Sequence, residues 1–110
     1  MTNETENAPN DQLPETLIIP LDPPIEVKGG GCYSELSLSE PLSGQVLNAE
    51  KHLKGNFGAA ELRLYALTLV SQNSGVPMNV LRDYCPIGVL NRAANYLQRF
   101  IEAGQNTGDS

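Results

Sequence analysis

One run constrains this chain more than any other: Pro86 to Ala103. Placed at 100° steps, as a helix requires, its residues separate cleanly. Ile87, Val89, Leu90, Ala93, Ala94, Tyr96, Leu97, Phe100 and Ile101 share one side. Asn91, Arg92, Asn95, Gln98, Arg99 and Glu102 share the other. Pro86 fits the first helical turn, where its missing N–H costs nothing. Gly104 stands where a left-handed C-terminal cap is expected. The apolar arc covers about half the circumference, wider than the usual stripe of about 100°. Several elements of one domain must cover such an arc, or a partner must.

The segments upstream supply candidates. Thr16 to Leu21 is β-branched and apolar and reads as a short strand, with Pro20 confining it to an edge. Asp22-Pro23-Pro24 is a break. Ile25 to Lys28 alternates with period two, Gly29-Gly30-Gly31 supplies a turn that tolerates positive φ, and Tyr33 to Leu38 returns. Residues 25–38 are therefore expected to form a hairpin. A hairpin alone is marginal, so it must pack on helices or pair with the first strand.

After Glu40-Pro41, Leu42, Val46, Ala49 and Leu53 make one narrow helical stripe, with Ser43 or Ser39 placed to cap it. Lys54 to Gly58 is a linker. Ala59 to Asn73 is a second strong helix. Leu62, Tyr65, Ala66, Leu69 and Val70 lie on one face, and Leu64 and Leu67 on the opposite side. A helix apolar nearly all round is buried on two sides, in a domain or an oligomer. Gly75 is its natural cap, and Met78 to Tyr84 gives about two further turns. Strands first and helices after predict an α+β fold. It should be a short N-terminal hairpin or small antiparallel sheet followed by three to four helices, mostly helical.

At 110 residues the chain is one domain at most. Residues 1–14 and 105–110 are polar and carry no apolar run, which predicts a disordered acidic arm and a disordered tail around a domain at 15–104. The net charge is −6, and Glu4, Glu6, Asp11 and Glu15 precede residue 16 with no base among them. Most of the acidity is therefore arm, and the folded part is close to neutral. Lys and Arg form no run that would grip phosphates. The acidic start is not a signal peptide's pattern, and no apolar run approaches a membrane span. Cys32 and Cys85 are too few for a disulfide framework. A soluble cytoplasmic protein without membrane contact is expected.

Catalytic and metal patterns are missing. His52 has no ligand partner at useful spacing, and the glycine triplet is followed by no Lys-Ser or Lys-Thr. No Gly-x-Ser-x-Gly elbow occurs, and neither cysteine has a base beside it. Neither an enzyme nor a cofactor is expected. Leu67 to Tyr84 loosely follows a helix-turn-helix, but its second helix offers one base, Arg82, beside an acid, Asp83. Nucleic-acid binding is thus the weaker alternative.

Three runs carry a resemblance: Leu17-Ile18-Ile19-Pro20-Leu21, Pro24-Ile25-Glu26-Val27, and Glu35 to Gln45 with its Leu36-x-Leu38-x-Glu40-Pro41 core. With the helix Ala59–Asn73, the link Ser74–Pro77 and Phe100, the chain resembles the small tail assembly chaperones of Mu-like and related long-tailed phages over about residues 16–102. Leu42 and Gln45 depart from the Thr and the acid usual in that family. The resemblance implies a host-cytoplasmic protein that holds the tape-measure protein soluble, that is often extended by frameshifting, and that is absent from the finished virion. A structural tail or adaptor subunit is the related alternative.

A chaperone of this kind needs an apolar groove or helix face for an amphipathic client helix. Candidate contacts are Leu62, Tyr65, Leu69, Val89, Tyr96, Leu97 and Phe100, all of which also suffice as plain core. On the last helix, the Ile87–Ala94–Ile101 edge, abutting Leu90 and Leu97, is expected to face the core and the Val89–Tyr96–Phe100 edge to meet another chain, a client or a second copy. Changing Tyr96 and Phe100 to Ser should then leave a folded protein with weakened association.

Overall fold

The structure, a computed structural model, describes residues 14–55 and 58–108, with side chains to Ala103. Residues 1–13 of the expected arm, Asn56 and Phe57 of the expected linker, and residues 109–110 lie outside the described residues.

Strand β1 (Thr16–Glu26) and strand β2 (Cys32–Ser39) form a two-stranded antiparallel sheet. The two apolar runs expected to be separate strands are one strand. Thr16 to Pro20 pairs with Ser39 to Glu35, and Ile25 and Glu26 pair with Tyr33 and Cys32. Between Pro20 and Ile25 the register shifts. The extra residues bulge out, and the Asp22-Pro23 peptide is cis. Both strands of such a ribbon are edges, where proline is tolerated. The register places Ile19 opposite Leu36 and Leu17 opposite Leu38, so one face of the ribbon is apolar along its length. Gly29, at φ 75°, forms the turn that Val27 closes by accepting the Gly30 N–H at 2.8 Å.

Four helices follow, with one 3-10 turn at Lys51–Leu53 after the first: α1 (Ser43–Glu50), α2 (Ala59–Ser74), α3 (Met78–Tyr84) and α4 (Ile87–Gly108). The α+β class and the helix count match the expectation. The backbone of α4 stays helical through Gly104 to Gly108, so Gly104 is not the expected left-handed cap. Gly75 is one: its φ is 82° and its N–H donates to the Ser71 carbonyl.

The hub is α2, which packs on α1, α3, α4 and β2. Its four consecutive residues Leu67, Thr68, Leu69 and Val70 are all buried. That all-round burial explains why its sequence has no single apolar stripe. Helix α4 contacts α2, β1 and β2. Three elements therefore cover its wide arc.

Leu90 and Leu97 are buried as expected, but Tyr96, placed on the partner-facing edge, is buried with them and with Ala93, and Ile87, placed on the core-facing edge, is 54% exposed. Ala94 and Ile101 are only partly covered. The hairpin lies on the Tyr96 side. There the Tyr96 hydroxyl donates to the Pro14 carbonyl at 2.6 Å, and its ring meets Phe100 edge-on with centroids 5.2 Å apart.

Neither Ser39 nor Ser43 caps α1. The Leu42 N–H donates instead to Gln45 Oε1, at 3.1 Å. Gln45 Oε1 also accepts from Asn73 Nδ2, and Asn73 Oδ1 accepts the Ser39 N–H at 2.9 Å. Gln72 binds both Gln45 and Asn48. These amides join the end of β2, the start of α1 and the last turn of α2, and so set the direction of the Glu40-Pro41 turn.

Candidate functional site: an apolar cleft between helices α1 and α4

The turn after β2 lays α1 beside the later half of α4. A cleft of about 370 Å³ lies between them, walled by Pro41, Val46, Leu47, Phe100 and Ile101, with Glu40 and Ser43 at the polar side. Leu47 is 62% exposed and Leu42, at the N-terminus of α1, is 68% exposed. Leu42 thus leaves the core stripe assigned to it from spacing. It stands before the first helical residue, in extended backbone, and is not on the helix face at all. Ala49 alone in α1 is fully buried. An eight-residue helix that fully buries one alanine, exposes its single leucine and follows another exposed leucine is covered poorly by its own domain.

The seven residues proposed from sequence are not brought together. Leu69 and Leu97 are fully buried, and Tyr96 is 6% exposed. Leu69 and Leu97 are out of a partner's reach, Tyr96 shows only a narrow edge at the wall of another groove, and all three serve as core. Phe100 is half-buried and lines the α1–α4 cleft. Leu62, 49% exposed, and Tyr65 line a separate groove of about 340 Å³ between α2 and α4. Val89 lies at a third, beside the β1 bulge with Tyr84 and Pro86. Spacing missed Pro41, Leu47 and Ile101 as a group. One signal was present: Leu47 is apolar on the polar side of the α1 stripe.

The α2–α4 groove is more polar. The Tyr65 hydroxyl donates to Gln98 Oε1 at 2.8 Å, and Arg63 donates to Asn91 Oδ1 at 3.2 Å. Partial burial raises the Tyr65 pKa, with the negative charges of Glu50 and Glu102 adding to it, so the phenol keeps its proton and stays a donor.

Burial pushes the Cys85 thiol up, away from the reactive thiolate. Among the described residues no three His, Cys, Asp or Glu side chains converge on a point where a metal ion fits. No helix of the described residues is long and apolar enough to cross a membrane. The helix-turn-helix spacing corresponds to α2, the Gly75 turn and α3, where Ser71 Oγ donates to the Val76 carbonyl at 2.7 Å. Helix α3 turns Val80 and Leu81 inward, and its one base, Arg82, is held by Asp83 at 2.9 Å. That leaves no free cation on α3 for a phosphate. No family model, curated protein or solved structure matches this chain.

Proposed function

We propose that the chain is a tail assembly chaperone of a long-tailed phage. It takes an amphipathic helix of the tape-measure protein into the α1–α4 cleft and keeps that protein soluble in the host cytoplasm while a tail forms. The observation that carries the reading is the cleft itself. Pro41, Val46, Leu47, Phe100 and Ile101 present an open apolar trough, flanked by the exposed Leu42. An amphipathic helix buries its apolar face in such a groove, with anchors spaced three and four residues apart.

The resemblance noted in the sequence supports the same place. Glu40 and Pro41, two positions of the shared motif, stand in the wall of this cleft. On this reading the protein binds without catalysing a reaction, needs no cofactor and is left out of the finished particle. Self-association through the exposed leucines is a competing use of the same surface.

Co-expression with the tape-measure protein of the same phage tests the reading. The client's soluble yield should rise several-fold, and the two should co-purify. Equal solubility without this chain would sink the proposal. Recovery of the chain from purified virions would favour a structural tail subunit instead.

A further inference from the structure

Three of the chain's four arginines, Arg63, Arg92 and Arg99, gather around α4. Arg92 and Arg99 stand on its exposed face, about 10 Å apart along the axis at 1.5 Å per residue. Arg63 reaches across from α2 to Asn91. The fourth, Arg82, is paired with Asp83. Neither Arg92 nor Arg99 forms an ion pair among the described residues. Both line a groove of about 480 Å³, whose walls include Pro14, Leu17, Asn95 and Tyr96 and, among the described residues, no carboxylate.

Pro14 is fixed in that wall by the hydrogen bond from Tyr96. The chain before it is therefore tethered at the wall of the groove. Residues 1–13 carry Glu4, Glu6 and Asp11 and no Lys, Arg or His. Asp11 is three residues from Pro14, and a chain spans at most about 3.6 Å per residue, so it stays within about 11 Å of the groove wall in any conformation. Glu6 stays within about 29 Å.

We propose that the acidic segment 1–13 folds back on its own α4 and sets its carboxylates against Arg92 and Arg99. Single exposed ion pairs are weak. A segment tethered at the groove wall is present at an effective concentration of roughly millimolar or more, which lets weak pairs persist. A second copy's segment or a foreign acidic peptide must displace the tethered one. The contact is independent of the client cleft, which lies on the α1 side of α4, so the two proposals stand or fall separately.

Nuclear magnetic resonance on the full chain tests this. In the variant Glu4→Gln/Glu6→Gln/Asp11→Asn, with both cysteines untouched, amide shifts should move at Asn91, Arg92, Asn95 and Arg99 and stay in place along α1. At about 0.5 M salt the wild-type spectrum should approach that of the variant, because exposed pairs are screened. Unchanged α4 shifts in the variant would overturn the proposal.

A nitroxide at Asn7→Cys, in a Cys32→Ser/Cys85→Ser background, gives a second readout. At about 20 mM salt, where screening is weak, it should remove at least half the intensity of the same α4 amides and spare α1. Arg92→Glu/Arg99→Glu should restore that intensity. Equal loss over both helices, or loss indifferent to the charge reversal, refutes the contact. Loss in a mixture of spin-labelled and isotope-labelled chains would place the segment on a second copy and refute the intramolecular form.

Discussion

Tyr96 decides between the two ways α4 can face. If its edge meets a partner, Tyr96→Ser leaves the fold intact. The structure predicts otherwise. The ring is 6% exposed and packs edge-on against Phe100, and its hydroxyl holds the Pro14 carbonyl at 2.6 Å. Tyr96→Phe removes only the hydrogen bond, a loss of about 1 kcal/mol. Tyr96→Ser also deletes the buried ring and leaves a cavity, which for large aromatic side chains costs about 3–5 kcal/mol. Part of that is the aromatic pair with Phe100, worth about 0.5–1.5 kcal/mol beyond its buried area. Small domains hold only about 5–15 kcal/mol in total, so Tyr96→Ser should be marginal or unfolded at room temperature. Urea denaturation followed by circular dichroism measures the loss, with an m-value of about 1–3 kcal/mol/M expected for a chain of this size. Tyr96→Phe should lower the melting temperature by about 4–8 °C. A Tyr96→Ser variant less than about 1 kcal/mol below wild type, against the 3–5 expected for a buried ring, would refute the packing and return Tyr96 to a partner surface.

Three further outcomes follow from the same contacts. Burial raises the Tyr96 pKa above its ordinary value near 10, with the Glu40 charge adding to it. Because the neutral phenol is the donor, its stabilisation is intact below pH 10 and disappears as the pH climbs through the higher folded value. Part of the alkaline loss of stability should vanish in Tyr96→Phe. Gly75→Ala should cost about 1–2 kcal/mol by thermal melt; an added Cβ meets no atom within 4 Å, so the cost is the left-handed backbone alone. Leu47→Ser, at an exposed position, should change stability by less than about 0.5 kcal/mol. On the proposed function it should nonetheless reduce the soluble yield of co-expressed tape-measure protein. An unchanged yield would move the client site away from the α1–α4 cleft.

Local pattern determined much of this protein by itself. The sharp division of residues after Pro86 marked α4, Gly75 marked the end of α2 through its left-handed cap, and the alternation after Gly31 marked β2. These features depend on residues within a few positions of one another, which is what periodicity and capping report. The tertiary structure decided that Tyr96 joins Leu90, Ala93 and Leu97 on the inward side of α4 while Ile87 stays exposed. Angular position about a helix axis says nothing of where the hairpin lies, and it lies on the Tyr96 side. It also decided that Thr16–Glu26 is one bulged strand, because register is a match between strands and not a property of either. The cleft was beyond local pattern for the same reason. Pro41 and Leu47 meet Phe100 and Ile101 across more than fifty residues, through an amide junction of Gln45, Gln72 and Asn73 that leaves no periodic trace. The mean direction of each side chain was written locally, and its neighbour was chosen by the packing of the whole chain.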